Sequence, residues 1–233
     1  MNNKSLYTLL AVCMLMLSSC DNANKCSETY CPQGTVCENG FCQGIPAFAD
    51  QEGNTYHEIQ IGTQSWMQEN LKTEHFRNGD PIATGLDDAQ WTNDTIGSFA
   101  EISDTSYGKL YNWYAANDPR CLCPLGWHVP NDSDWTVLTD YLGVTSGGKL
   151  KSNTGWPLPN IGADNSTGFY GLPGKKRFYN GFYSTNSSYG YWWSSTQHLP
   201  LVAWARQLTY DSYFTGKFST YKSEGLSIRC LKD

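Results

Sequence analysis

The chain has 233 residues and carries 22 acidic against 16 basic side chains, a formal charge of −6. No cluster of Lys and Arg interrupts that acidic balance, so nucleic acid is excluded as a partner. The length suits one sizeable domain with a small module beside it.

The N-terminus reads as an export signal. Lys4 precedes a mostly apolar run from Leu6 to Leu17, too short to cross a bilayer, which takes about 20 residues. Ser18 and Ser19 lead directly into Cys20. This arrangement resembles a bacterial lipoprotein signal, in which residues 1–19 are removed and Cys20 is lipidated. No second apolar run of spanning length follows, so the lipid would be the membrane attachment. The expected location is the bacterial cell envelope, at the outer membrane or the cell surface.

Residues 20–44 form a small cysteine-rich module. Cys26, Cys31, Cys37 and Cys42 fall within a short stretch that cannot bury a core of its own. Outside the cytoplasm such a segment is expected to be stapled by two disulfides. Asn39-Gly40 marks a hairpin turn between the last two cysteines. Four cysteines allow three pairings, and spacing does not choose among them. The segment resembles the EGF-like knots of secreted proteins, which implies Cys26–Cys37 with Cys31–Cys42. A close C-x2-C pair, usual for zinc, is absent. The module reads as a spacer, followed by a linker at 45–52.

The main domain, 53–233, opens on a strand at Thr55–Ile61 with Tyr56, Ile59 and Ile61 as core candidates. Gly62-Thr63-Gln64 turns the chain into a second extended piece, Ser65–Met67. Leu110, Trp113 and Tyr114 recur at helical spacing within Tyr107–Ala116, which predicts a short amphipathic helix. A clearer helix follows Pro130. Asn131 is its N-cap, Asp132 and Asp134 complement its positive end, and Trp135, Leu138, Tyr141 and Leu142 form its apolar face. Gly143 ends it. Gly147-Gly148-Lys149 reads as a turn leading into a strand. Short strands are expected at Tyr191–Ser195, Ala203–Leu208 and Leu226–Leu231. The pattern is α+β: two short helices, small antiparallel sheets and a long loop-rich half. All nine Trp lie between Trp66 and Trp204. They read first as core, and second as rings able to stack on sugars.

A series of phrases carries a family resemblance. They are Gln64-Ser-Trp-Met-Gln-Glu-Asn-Leu71, Tyr107-Gly-Lys-Leu-Tyr-Asn-Trp-Tyr-Ala-Ala116 and Cys123-Pro-Leu-Gly-Trp-His-Val-Pro130. Asp134-Trp135, Gly147-Gly-Lys-Leu-Lys-Ser152, Gly190-Tyr-Trp-Trp-Ser-Ser195 and Ser227-Ile-Arg-Cys230 follow. In this order they resemble the Fibrobacter succinogenes major paralogous domain. That family is more distantly similar to the C-type-lectin-like fold and to the formylglycine-generating-enzyme domain that shares it. The resemblance implies a loop-rich domain closed by a Cys123–Cys230 bond. It carries no reaction with it. Cys121 departs from the pattern, which has Gly there.

The chain offers little recognisable chemistry. His57, His75, His128 and His198 stand alone, without a second ligand at metal-site spacing. The carboxylates Glu69, Asp80, Asp87, Asp88 and Asp134 would serve glycoside hydrolysis only if two of them paired in space. No catalytic residue, metal ligand or cofactor is assigned. Calcium, which C-type lectins often use, lacks its sugar-binding triplets here, although Asp and Asn oxygens are plentiful. The Tyr-, Ser-, Asn- and Gly-rich stretch 177–191 has the composition of a recognition loop. Tyr179, Tyr183 and Tyr189 are its candidate ligand contacts. The expected function is that of a lipid-anchored binding protein for a glycan or a surface protein, without covalent chemistry. A divergent enzyme on the same scaffold and a self-associating surface protein are the alternatives.

Overall fold

The computed structural model describes residues 49–233, and for 35–38 and 41–48 the course of two backbone strands. The Cys20 signal and the side chains of the Cys26–Cys42 module, with their pairing, lie outside the described residues. In chain order the strands begin with β1 (Thr35–Glu38), β2 (Phe41–Ala49), β3 (Thr55–Ile61) and β4 (Gln64–Met67). Helix α1 (Asp88–Asn93), β5 (Phe99–Ala100), β6 (Leu110–Tyr111), α2 (Trp113–Ala116) and β7 (Trp127–His128) follow. Then come α3 (Asp132–Leu142), α4 (Ser146–Leu150), β8 (Tyr189–Leu199), β9 (Val202–Thr209), β10 (Gly216–Tyr221) and β11 (Leu231–Lys232).

These described elements make an α+β chain of four short helices beside antiparallel sheets of six, three and two strands. The six-stranded sheet runs β1-β2-β3-β4-β11-β7, and the three-stranded one β10-β9-β8. Residues 45–49, read from sequence as linker, belong to β2 and pair with β3. At the far side Leu231 pairs with both Trp66 and His128. The Cys123–Cys230 disulfide is formed beside that junction and spans 107 residues of chain.

Side chains alternate across strands, and here both faces are buried. Tyr56 enters one core cluster, while Ile59 and Ile61 enter another. Trp66 and Met67 divide the same way, as do Trp192 and Trp193 on β8. In the second cluster Trp66 packs on Trp135 with ring centroids 4.8 Å apart. Eight of the nine tryptophans are buried, and Trp204 is partly exposed. The structural use of tryptophan prevails.

Helix α3 forms where its caps require. The Asn131 side chain accepts from the backbone N–H groups of Ser133 and Asp134, and the Asp134 carboxylate accepts from the Asn131 N–H, a reciprocal capping box. Trp135, Leu138 and Leu142 are buried. Tyr141 is not: it is 66% exposed, with its ring laid over Gly62, where a Cβ would come within 2.9 Å of it.

Three further expectations are corrected. Residues 107–116 are not one helix. Leu110 and Tyr111 form a strand with Phe99 and Ala100, and helix begins only after the Asn112 N-cap. Gly147-Gly148-Lys149 is helix α4 rather than a turn. Its glycines are demanded by contact, since a Cβ on either would sit 2.2 Å from a carbonyl oxygen, of Phe214 or of Gly162. Of Leu226–Leu231 only Leu231 is in a regular strand. Leu226 and Ser227 make single bridges, to Tyr111 and to Trp192. Helix α1 and strand β10 are additions that the sequence reading lacks.

Two buried cations tie these parts together. Arg229, 2% exposed, donates to the Asn70 side-chain oxygen at 2.8 Å and to the Phe169 carbonyl. Its guanidinium lies 3.9 Å from the Phe169 ring centroid, and the same Asn70 oxygen accepts the Trp192 indole N–H at 2.8 Å. Burial pulls Arg229 down to about 9, so it stays charged at neutral pH. Lys151 is fully buried, and its ammonium donates to the carbonyls of Ile161, Thr209 and Ser212 at 2.8–2.9 Å.

Candidate ligand-binding site

The three-stranded sheet carries a row of rings on one face. Directly opposed residues share a face, which groups Tyr191 with Gln207, and Trp193 with Ala205 and Phe218. Trp193 is buried in the first core cluster. Tyr191 and Phe218 pack against its edge and remain partly exposed. Tyr189, two residues along β8, extends the row: its ring stacks on Tyr191 at 5.9 Å between centroids and 19° between planes. Phe218 meets Tyr191 edge-on at 5.9 Å.

The electrostatics of this band are quiet. Lys176 lies 4.8 Å from the Phe178 ring centroid and 5.2 Å from that of Tyr191. Its ammonium bonds Glu224 at 2.9 Å, and both side chains are largely buried, so their charges cancel locally. Burial, reinforced by Tyr189 and by the Glu224 charge, pushes the Tyr191 hydroxyl up to about 12. It is therefore a neutral donor at pH 7. Neither the Tyr189 nor the Tyr191 hydroxyl has a hydrogen-bond partner among the described residues. Flat apolar rings beside uncommitted neutral hydroxyls and the Gln207 amide suit stacking against a sugar face, with hydrogen bonds at its rim.

Of the three tyrosines expected to bind, Tyr189 stands in this band. Tyr183, 40% exposed, covers the guanidinium of Arg177 at 5.2 Å. The Trp91 ring lies 4.4 Å from the same guanidinium. Tyr179 packs on Tyr221 with centroids 4.9 Å apart. The first part of the loop, residues 177–183, is a tight hairpin. Phe178 N–H bonds the Phe182 carbonyl, and Gly181 at φ 89° lets the turn press on α1, where a Cβ would meet the Asp88 Cα at 2.4 Å. Arg177 pins it by donating to the carbonyls of Gly181 and Leu86 and to Asp88. Tyr191, Phe218, Lys176 and Glu224 were missed by the sequence reading. Tyr189-x-Tyr191 carried a signal, since strand alternation puts both on one face. Phe218 carried none.

The carboxylates weighed for hydrolysis each have a partner of their own. Glu69 binds His57, Asp80 binds Asn78 and Arg120, and Asp88 binds Arg177. Asp87 caps α1, and Asp134 belongs to the α3 capping box and to His128. His75 bonds Glu52, and His198 lies against Trp204 at 4.1 Å. Among the described residues no group of three His, Cys, Asp or Glu side chains could hold a metal ion. Cys121 is a free thiol at φ 62°, in the left-handed backbone region that favours glycine. No described helix is long and apolar enough to cross a membrane.

A family model described as the Fibrobacter succinogenes major domain matches residues 59–232. No curated protein and no solved structure matches the chain.

Proposed function

The chain belongs to the Fibrobacter succinogenes major domain family, and from that premise we propose that it is a lipid-anchored, extracytoplasmic glycan-binding protein. The observation that carries this reading is the Tyr189–Tyr191 stack, extended by Phe218 and flanked by the neutralised Lys176–Glu224 pair. Rings held this way cost little entropy to present, and their free hydroxyls supply direction. The loop-rich α+β build with its long-range disulfide supports a C-type-lectin-like fold, although the band lies on a sheet face rather than in a calcium loop. The lipoprotein-like signal ending at Cys20 supports display at the cell envelope.

The test is a glycan and plant-polysaccharide array. It is probed with the full chain in a detergent that has no sugar headgroup, with and without chelator. Binding by the native chain that is lost in Tyr189→Ala/Tyr191→Ala supports the reading. Binding that persists undiminished in that variant, or no binding to any glycan, removes it.

A further inference from the structure

A recess lies away from the loop that sequence singled out. It is an open cleft of about 400 Å³ between the loop at Thr95–Ile96 and the turn that follows α2, a size within the range that small-molecule sites occupy. Asn112 braces its two walls. The buried Asn112 side chain accepts from the N–H groups of Ala115 and Ser98, and donates to the Asp94 carboxylate at 2.8 Å. Gly97, at φ 91°, packs so closely that a Cβ there would sit 3.1 Å from the Ala115 backbone. The apolar wall is equally fixed. Trp113 donates its indole N–H to the Ser194 carbonyl at 3.0 Å and meets Tyr114 edge-on.

The charges at the rim are already spent. Arg120 makes two bonds of 2.8 Å to Asp118 and a third of 3.2 Å to Asp80, and its guanidinium lies 3.9 Å from the Phe76 ring centroid. An anion finds no free cation there, and a cation finds Asp118 occupied. What stays uncommitted among the described residues is neutral: the Tyr114 hydroxyl, the Asn117 amide and the Thr95 hydroxyl. Burial, and next the Asp94 charge, raise the Tyr114 pKa, which keeps that hydroxyl a donor.

We propose that this cleft binds a neutral, hydroxyl-bearing ring, a single pyranose or the end of a chain of them, against Tyr114 and the edge of Trp113, which is 5% exposed with the Lys222 ammonium 4.3 Å from its ring centroid. It is a site separate from the aromatic band and does not depend on what that band binds. Tyr114 and Asn117 select the ligand through its hydroxyls, and the closed Arg120 ion pairs discriminate against charged analogues.

Saturation-transfer NMR on the full chain, in detergent without a sugar headgroup, tests it. The probes are the methyl pyranosides of glucose, galactose and xylose, with glucuronate and glucosamine as charged controls. The expected result is transfer to a neutral pyranoside, with affinity about fivefold weaker in each of Tyr114→Phe and Asn117→Ala, the loss of one neutral hydrogen bond. The unfolding midpoints of both variants stay at the native value, since Phe keeps the ring against Trp113 and the Asn117 side chain is exposed. Tyr189→Ala/Tyr191→Ala leaves this binding intact. No transfer to any neutral pyranoside, tighter binding of the charged controls, or unchanged affinity in both cleft variants overturns the proposal. Loss confined to the Tyr189/Tyr191 variant overturns it as well and assigns the sugar to the band.

Discussion

Tyr183 is the lid of a buried cation: its ring centroid lies 5.2 Å from the guanidinium carbon of Arg177, which is 4% exposed. A residue whose composition context suggested ligand contact therefore also has a structural duty. Tyr183→Ala is expected to lose about 1 kcal/mol of stability through the exposed ring–cation contact. Arg177→Ala, which leaves the Gly181 and Leu86 carbonyls without their donor, is expected to lose about 2–4 kcal/mol. Denaturant titration measures both. Equal midpoints for Arg177→Ala and the native chain would show that the hairpin is held by something else.

The junction at Asn70 makes a second prediction. One side-chain oxygen accepts from both Arg229 and the Trp192 indole. Asn70→Ala strands a buried charge and a buried N–H together, so a loss of about 3–5 kcal/mol is expected. Asn70→Asp tests the electrostatics, because a carboxylate keeps the acceptor and adds a partner for Arg229. It should recover part of the loss in the same titration, and not all of it, because the Asn70 amide also donates to the Tyr107 carbonyl at 2.9 Å and a carboxylate cannot.

Removing the Cys123–Cys230 bond by a double Ser replacement should cost about 4–5 kcal/mol, the chain-entropy value for a loop of this length. Cys121 behaves differently. At φ 62° a Cβ is strained, while glycine adds freedom to the unfolded chain, so Cys121→Gly is expected to shift stability by no more than about 1 kcal/mol. Thermal unfolding of the two variants separates the bridging cysteines from the bystander. A loss for Cys121→Gly comparable to that of the double Ser variant would assign Cys121 a structural bond of its own.

Acid should weaken the fold through Asp132. Burial raises this carboxyl, but hydrogen bonds from Lys217 and Arg206, together with their charges, outweigh it and hold the group below its ordinary value. The unfolded chain has the ordinary value of about 4. The stabilisation is therefore complete above pH about 4 and disappears as pH falls through the lower folded value. Asp132→Asn should be less stable at neutral pH and show a flatter acid limb. Parallel acid limbs in native and variant chains would remove Asp132 from the account.

What was legible in the sequence was whatever local chemistry fixed. Helix α3 was readable because Asn131 offers a cap and Asp132 and Asp134 follow it in the first turn, and the β3–β4 hairpin because Gly62 supplies its turn. Lys151, Asn70 and Arg229 sat inside the family phrases, yet nothing local said that each would bind atoms far along the chain. Residues 107–116 had helical spacing, but pairing of Leu110 and Tyr111 with β5 overrode it. Gly147-Gly148 looked like a break, because the carbonyls that forbid a side chain there belong to distant loops. Strand β10 has one buried residue among six and offers no alternation to read. The aromatic band suffered in the same way: Tyr189 was visible as a loop tyrosine, while Phe218, which shares its face, arrives through cross-strand register alone.

The three carbonyls around Lys151 form the kind of oxygen cradle that long loops elsewhere fill with a dissolved ion. Here the positive charge arrives on a covalent stem. It cannot be diluted away, stripped by a chelating neighbour or exchanged for a larger ion. The loops around residues 161, 209 and 212 thus carry their own counter-ion, and their shape follows from the chain rather than from the mineral content of the surroundings.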